Sequence, residues 1–313
     1  MPSQSDTNKD ENKNKYIATH DITMSTAFAP AHITGFFKVH RDKDILHTGS
    51  CGCGITLAQG VTSTVATSSF AKDKPSCIRI DGIPHTSGPA VDCVKELAPS
   101  GTTVDITSCI PSGCGLGASG AGTLATAIAI DDMLKLNLGY DKLVQTAHSV
   151  EVQNSTGLGD VVAQATGGLV VRKKAGAPPF GICQRIQCPP QEIAYVAMGE
   201  ISTASVLSDG HAISTINLAG KTALKEFLQK PCIEMFMTQS KKFTLQTSIA
   251  DDTVLDAIEA VEAAGGLASQ AMLGKTVFAT GGDDVIHALE EFGIVMVSHI
   301  DTTGARCVGK VNG

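Results

Sequence analysis

Residues 111–131 read PSGCGLGASGAGTLATAIAID, a glycine-rich opening that runs without a break into small, apolar, helix-forming residues. Glycine lets the backbone turn tightly there and point several N–H groups into one concavity. The helix that follows adds its own free N–H groups and the positive end of its dipole. The segment therefore favours binding of a phosphate group. Close packing of the helix on a sheet is the alternative explanation of the same glycines.

Two well-known phosphate loops fit this segment less well. A Walker A loop requires Gly-Lys-Ser/Thr, and the chain has no lysine between Lys95 and Lys135. Gly115, Gly117 and Gly120 satisfy the spacing G-x-G-x-x-G of dinucleotide-binding proteins. That unit needs a parallel strand after the helix, whereas here a second helix is predicted. The sequence excludes the Walker A loop and disfavours a dinucleotide-dependent oxidoreductase.

The hydrophobic pattern predicts several elements around the loop. Short stretches rich in Thr, Val, Ile and Phe between Met24 and Ile110 indicate a sheet. After the loop, one helix is predicted to end at Gly139, and a second is predicted over 141–154 with Asp141 as its N-cap. A glycine-bounded segment that ends in a strand follows. Alternating strands and helices then fill the chain beyond about residue 190.

The loop also resembles a family motif. PSGCGLGASGAG is similar to the second motif, P-x-x-x-G-L-G-S-S-A, of the GHMP small-molecule kinases. Ala118 replaces the first serine of that motif, Ser119 keeps the second, and Gly120 replaces the alanine. FAPAHITGFFKVH resembles the family's first motif. HTGSCGCGITLAQGVTSTV, AHSVEVQNSTGLGDVVAQATGGLVVR and ASQAMLGKTVFA resemble blocks of the branch that phosphorylates pantoate.

The resemblance implies an α+β, two-domain GHMP kinase fold, with a β-rich N-terminal domain, a ferredoxin-like C-terminal domain and the active site between them. On this basis residues 21–190 form the N-terminal domain, which carries the ATP phosphate loop at 111–122. Residues 191–313 form the C-terminal domain. Residues 1–20 are polar and almost without apolar side chains, which predicts a flexible tail.

The resemblance also implies roles for individual residues. Asp160 is the expected general base, and Ser119 and Glu151 are the expected Mg²⁺ ligands. From their own positions and residue types, His32 after the Ala-Pro turn and the hydroxyls of Thr34 and Ser50 are expected to bind the substrate. Arg172 and Lys173 are interpreted as a solvated basic pair at a strand end. ATP is assigned to the loop residues Gly113, Gly115, Leu116, Gly117, Ala118, Ser119 and Gly120. Cys51 stands where the pattern has an arginine, which leaves the substrate carboxylate without an assigned partner.

The implied reaction is ATP-dependent phosphorylation of (R)-pantoate to 4-phosphopantoate, with Mg²⁺, in archaeal coenzyme A biosynthesis. Three alternatives stay open. The first is a GHMP kinase for another small alcohol, such as homoserine or mevalonate. The second is a non-catalytic, ligand-sensing relative, and the third is the disfavoured dinucleotide-dependent oxidoreductase.

Composition narrows the range of partners that this chain is expected to bind. The formal net charge is −7 and the lysines and arginines are scattered, so no nucleic-acid partner is expected. No apolar run has the length of a membrane span, so no membrane partner is expected either. The ten cysteines include no C-x-x-C pair and no histidine spacing typical of a zinc site, so no structural metal is expected. Because no signal peptide precedes them, they are expected to be reduced thiols of a cytoplasmic protein. A homodimer is allowed but not required.

Overall fold

The structure, a computed structural model, describes residues 23–67 and 74–312. The predicted flexible tail, residues 1–20, lies outside the described residues. The strands are β1 (Thr23–His40), β2 (Gly49–Thr67), β3 (Cys77–Ile80), β4 (Ile83–His85), β5 (Thr103–Ser108), β6 (Leu169–Lys174), β7 (Ile182–Ile186), β8 (Glu192–Glu200), β9 (Leu267–Ala271), β10 (Gly274–Thr280), β11 (Val295–His299) and β12 (Arg306–Asn312). The helices are α1 (Pro89–Leu97), α2 (Ala118–Leu134), α3 (Tyr140–Gln153), α4 (Asp160–Thr166), α5 (Thr203–Ser208), α6 (Gly210–Phe227), α7 (Ile233–Thr247), α8 (Asp252–Ala263) and α9 (Asp283–Glu290).

The first sheet is built around the long antiparallel pair of β1 and β2. Its strand order is β12-β1-β2-β5-β3-β4, and β6 pairs with the other half of β2 and with β7. Helix α2 packs across β1 and β2, and every residue from Gly120 to Ile130 is buried. A helix that is apolar on all sides belongs in a core, so α2 is fixed between the sheet and its neighbouring helices. This fixes the position of the glycine loop that precedes it.

The second sheet is antiparallel, with strand order β11-β8-β10-β9. Helices separate β8 from β9, β9 and β10 are adjacent in the chain, and α9 connects β10 to β11. In order of appearance these strands are arranged 4-1-3-2, the arrangement of a split β-α-β ferredoxin-like fold. The predicted α+β class and the ferredoxin-like second unit are confirmed.

The structure corrects several element predictions. Helix α2 ends at Leu134, ahead of Gly139, because Lys135 takes the left-handed conformation with φ 55°. Gly139 is the N-cap of α3, and Asp141 lies in its first turn instead. The hydrophobic pattern does not predict four helices of the described residues, α1, α4, α5 and α7. Each is short or has a mixed apolar pattern, so its position depends on what it packs against.

The last strand, β12, returns to pair antiparallel with β1 in the first sheet. The chain after residue 190 thus contributes to both sheets. The boundaries 21–190 and 191–313 stay a prediction. None of the helices within residues 23–67 and 74–312 is both long and apolar enough to cross a membrane.

Candidate active site

The loop before α2 has the backbone that its glycines predict. Gly113, Gly115 and Gly117 have φ values of 73°, 86° and 66°, in the region that favours glycine. Gly117 is the N-cap of α2, and no side chain caps the helix. The first N–H groups of a long helix therefore remain available at this end. Such an end, combined with the helix dipole, attracts an anion.

The carbonyl groups of the same loop are bonded to other parts of the protein. The hydroxyl of Thr276 donates to the Cys114 carbonyl at 2.7 Å, and the backbone N–H of His32 donates to the Leu116 carbonyl at 2.9 Å. The side-chain amide of Gln164 donates to the Gly117 carbonyl at 2.8 Å. Because these oxygens are bonded elsewhere, the loop meets a ligand mainly through N–H groups. A loop that presents N–H donors to its ligand suits phosphate.

The loop forms one wall of a cavity of about 500 Å³. The cavity lies where the first sheet and α4 meet the segment 200–207 and the turn after β9. It brings together Thr34, Ser50 and Asp160 with five of the loop residues predicted for ATP: Gly113, Gly115, Gly117, Ala118 and Ser119. The other two, Leu116 and Gly120, are buried beside the wall and help shape the loop.

Glu151 lies behind Ser119 on α3 and is buried. One carboxylate oxygen, Oε1, accepts hydrogen bonds from the hydroxyls of Ser119 at 2.8 Å and Thr123 at 2.9 Å. The other, Oε2, accepts from the Thr156 hydroxyl at 2.6 Å. Burial raises the pKa of the Glu151 carboxyl, and these hydrogen bonds oppose the rise. A positive charge placed next to Ser119 would favour the ionised carboxylate.

Asp160 is the first residue of α4, and its side chain is 28% exposed towards the cavity. Its Oδ1 lies 2.7 Å from Nδ1 of His32, a fully buried histidine on β1. On the other side of the ring, Nε2 of His32 lies 3.3 Å from the Arg172 guanidinium, which can only donate. The neutral tautomer with its proton on Nδ1 satisfies both contacts.

The charges of this group follow from burial and from these contacts. Burial lowers the pKa of His32, and the Arg172 charge adds to that effect while Asp160 opposes it, so the ring is neutral near pH 7. Burial works against ionisation of Asp160. The hydrogen bond from His32 opposes that penalty most strongly, the charge of Arg172 adds to it, and the pKa of Asp160 lies below its usual value. Asp160 is consequently an oriented, ionised carboxylate.

Arg172 is not the solvated residue that its place after an apolar strand predicts. It lies on β6 opposite Gly52 of β2, and its side chain is buried and lines the cavity. The guanidinium reaches His32 and the Thr34 hydroxyl, each at 3.3 Å, and its Nε has no hydrogen-bond partner among the described residues. A buried cation with a free donor next to a cavity is suited to an anionic group. The apolar run Leu169–Val171 was the available signal: Arg172 directly follows it, and the first four residues of β6 are all buried.

The remaining predicted substrate residues divide into two groups. Thr34 and Ser50 line the cavity beside Arg172, and a Cβ added at Gly159 would lie 2.4 Å from the Ser50 hydroxyl and 2.7 Å from Nε of Arg172. His32 is fully buried behind Asp160, so it contacts the other active-site residues and not the cavity. Cys51 lies outside the cavity, in a basic surface depression with Lys38 and Lys173. Their functional roles stay predictions.

The sequence of this chain is similar to those of known proteins. Residues 86–168 match the family model described as GHMP kinases N terminal domain, a span that includes the loop, Glu151 and Asp160. The chain is 32% identical to a pantoate kinase of Methanocaldococcus jannaschii over 256 residues, covering 80% of this chain and 90% of the relative. It is 30% identical to a pantoate kinase of Thermococcus kodakarensis, covering 82% and 88%.

Solved structures are also similar to this chain. A phosphotransferase related to the CoA biosynthesis pathway superposes with a TM-score of 0.83 at 26% identity, covering 91% of this chain and 98% of the other. A homoserine kinase from Cytophaga hutchinsonii superposes with a TM-score of 0.69 at 17% identity, covering 91% and 97%, and shows the shared fold. Fold and loop together define a phosphotransferase that acts on small molecules. The chain belongs to the GHMP kinase family.

Proposed function

We propose that this protein transfers the γ-phosphoryl group of ATP to the 4-hydroxyl of (R)-pantoate, giving 4-phosphopantoate for coenzyme A synthesis. The observation that carries the choice of acceptor is Arg172, a buried cation with an unpartnered Nε beside Asp160. Pantoate is a hydroxy acid, so its carboxylate supplies an anion for this cation. The pantoate kinases that resemble this chain over most of its length support the same acceptor.

The cavity also fits the apolar part of this acceptor. Phe37, Leu158, Met272 and Leu273 line it together with the polar residues. Pantoate carries a gem-dimethyl group between its carboxyl end and the hydroxyl that would be phosphorylated. An apolar wall next to an arginine and an aspartate can bind both parts of such a molecule at once.

The proposed chemistry relies on positioning and electrostatics. The N–H groups of the loop and of the first turn of α2 bind the ATP phosphates. Arg172 and the hydroxyls of Thr34 and Ser50 hold the acceptor so that its hydroxyl faces Asp160. Asp160 takes the proton of that hydroxyl as the new P–O bond forms and the bond from the γ-phosphorus to the bridging oxygen of ATP breaks, so that ADP leaves. The His32 ring keeps Oδ1 of Asp160 oriented and leaves Oδ2 for the proton.

Ser119 and Glu151 have the chemistry of a Mg²⁺ site. Mg²⁺ prefers oxygen ligands and is usually held by one or two protein groups together with substrate phosphates. The Ser119 hydroxyl and Glu151 Oε1 lie 2.8 Å apart beside the phosphate loop, so they fit a shared role towards the cation. Among the described residues no group of three or more His, Cys, Asp or Glu side chains forms a metal cage. Bound Mg²⁺ would neutralise phosphate charge and favour the ionised form of Glu151.

Replacing Ser119 by Ala tests this metal assignment. The variant loses one oxygen ligand, so the Mg²⁺ concentration that gives half the maximal rate is expected to rise by about tenfold, the effect of one lost contact of about 1.4 kcal/mol. The measurement is initial rate against free Mg²⁺ at saturating ATP and acceptor. Ser50→Ala is the matched control, because it removes a hydroxyl from the acceptor side and should alter only the acceptor KM. A change in the acceptor KM alone in Ser119→Ala would contradict the assignment.

A screen of acceptors tests the function itself. ADP release is measured with ATP, Mg²⁺ and each of pantoate, pantothenate, homoserine, mevalonate and shikimate. Pantoate is expected to be preferred over pantothenate by about ten- to hundredfold in kcat/KM, because pantothenate replaces the carboxylate next to Arg172 by an amide and loses a charge-assisted hydrogen bond of about 1.5–3 kcal/mol. Equal turnover of both would overturn the assignment of the acceptor. Binding of ATP without turnover of any alcohol would indicate a ligand-sensing relative.

A further inference from the structure

Helix α4 carries a second buried polar residue one turn after Asp160. Residues four apart lie on the same face of a helix, so Gln164 and Asp160 project on the same side. Asp160 faces the acceptor end of the cavity, and Gln164 is completely buried against the phosphate loop. Its Nε2 donates to the carbonyl of Gly117, the N-cap residue of α2, at 2.8 Å. One short helix therefore contacts both halves of the proposed active site.

The two nearest glycines of the loop are shaped around this amide. A Cβ at Gly117 would lie 2.9 Å from Nε2 of Gln164, and a Cβ at Gly120 would lie 2.9 Å from its Oε1. Both distances are too short for ordinary packing, so the Gln164 amide fills the space that side chains at these positions would occupy. The glycine at 120, where the family motif has alanine, is explained by this neighbour and not by a need for positive φ, since Gly120 lies inside α2.

The side-chain amide of Gln164 is only half satisfied, because its Nε2 has a hydrogen-bond partner and its Oε1 has none among the described residues. Oε1 of Gln164 is buried and has no hydrogen-bond partner among the described residues. Leaving such an acceptor unpaired is unfavourable, and an apolar side chain would avoid that cost. A glutamine at this position contributes the Nε2 donor to the loop, which an apolar residue cannot supply.

We propose that Gln164 is a positioning residue that fixes the phosphate loop relative to Asp160, so that the transferred phosphoryl group and the attacking hydroxyl stay in line. The proposal rests on the proposed phosphotransfer, but on no particular acceptor. Phosphoryl transfer depends chiefly on such alignment, and a displacement of about 1 Å can lower a rate by about 10². The acceptor pocket itself does not include Gln164.

Gln164→Met tests the donor, because methionine has a similar length and no N–H. We expect kcat to fall by about ten- to hundredfold and the Kd for ATP, measured by calorimetry, to rise, while the acceptor KM stays within about twofold of wild type. Gln145→Met is the matched control: it removes a comparable amide-to-carbonyl hydrogen bond, to Pro178 at 2.9 Å, away from the cavity. It should leave all three quantities unchanged.

A double-mutant cycle separates positioning from general support of the fold. Gly120→Ala alone is expected to weaken ATP binding, because the new methyl group meets Oε1. In a Gln164→Ala background the contact with Oε1 is gone and Val161 Cγ2, at 3.3 Å, is the nearest atom, so Gly120→Ala should cost less, and the two effects should not add. Additive effects on the ATP Kd, or a Gln164→Met enzyme with wild-type kcat and ATP Kd, would overturn the proposal.

The rates are measured with whichever alcohol the acceptor screen identifies. A wild-type enzyme that prefers an alcohol other than pantoate contradicts only the choice of acceptor. The calorimetric arm of the cycle needs no acceptor, so a contradiction there bears on Gln164 alone.

Discussion

Asp160→Asn is expected to lower kcat by about 10² to 10⁴, the usual contribution of a positioned general base. Asparagine keeps the size of the side chain and can still accept the hydrogen bond from His32, so the variant should fold and bind ATP. The variant loses the basic carboxylate oxygen that would take the proton. Because a largely dissociative transition state demands little early proton removal, a value near the lower end is consistent with the assignment.

The measurement is single-turnover phosphoryl transfer with ATP, Mg²⁺ and pantoate all saturating. Asp105→Asn is the matched control, since Asp105 pairs with Arg79 on the surface of the first sheet. A transfer rate within about threefold of wild type would remove Asp160 from proton transfer, because that is well below the effect of a general base. A large rise in the pantoate KM together with the fall in kcat would show that Asp160 also holds the acceptor.

Arg172→Met is expected to raise the KM for pantoate by about 10². The substitution removes the cation assigned to the carboxylate, and loss of one partner of a buried, hydrogen-bonded charge pair costs about 2–5 kcal/mol. ATP binding should change little, because Arg172 lies on the acceptor side of Asp160. The test is steady-state kinetics with pantoate varied at saturating ATP, with Lys173→Met, the exposed neighbour on the same strand, as the control. An unchanged pantoate KM would contradict the assignment of Arg172.

The same variant should change the pH dependence. The Arg172 charge helps to hold the pKa of Asp160 below its usual value. Without that charge the pKa of Asp160 rises, so Asp160 becomes protonated at a higher pH and the acid limb of the kcat profile moves to higher pH. Arg172→Lys keeps the charge but not the planar fork. It should therefore raise the pantoate KM while moving the acid limb less. An acid limb that stays in place in Arg172→Met would show that Arg172 does not act on Asp160.

The sequence by itself determined the local features of this protein. A run of glycines before an apolar stretch predicts a tightly turned loop followed by a helix, because these depend on steric limits within a few residues. The structure has this arrangement, with left-handed backbone at Gly113, Gly115 and Gly117 and a helix that begins at Ala118. The hydrophobic pattern predicted the alternating strands and helices beyond about residue 190, and the motif resemblance identified the family. It selected Asp160, Ser119 and Glu151 as candidates, and the structure places all three at or beside one cavity.

Only the tertiary structure decided how the active-site residues are connected. His32 lies 128 residues before Asp160 and 140 before Arg172, and their contacts exist because β1, β6 and α4 are brought together by the first sheet. Gln164 likewise meets Gly117 across 47 residues. Strand pairing and burial set these contacts, and a linear pattern contains neither. From the sequence, an arginine after an apolar strand is therefore predicted to be solvated. In the fold the same arginine is a buried cation that faces the proposed base.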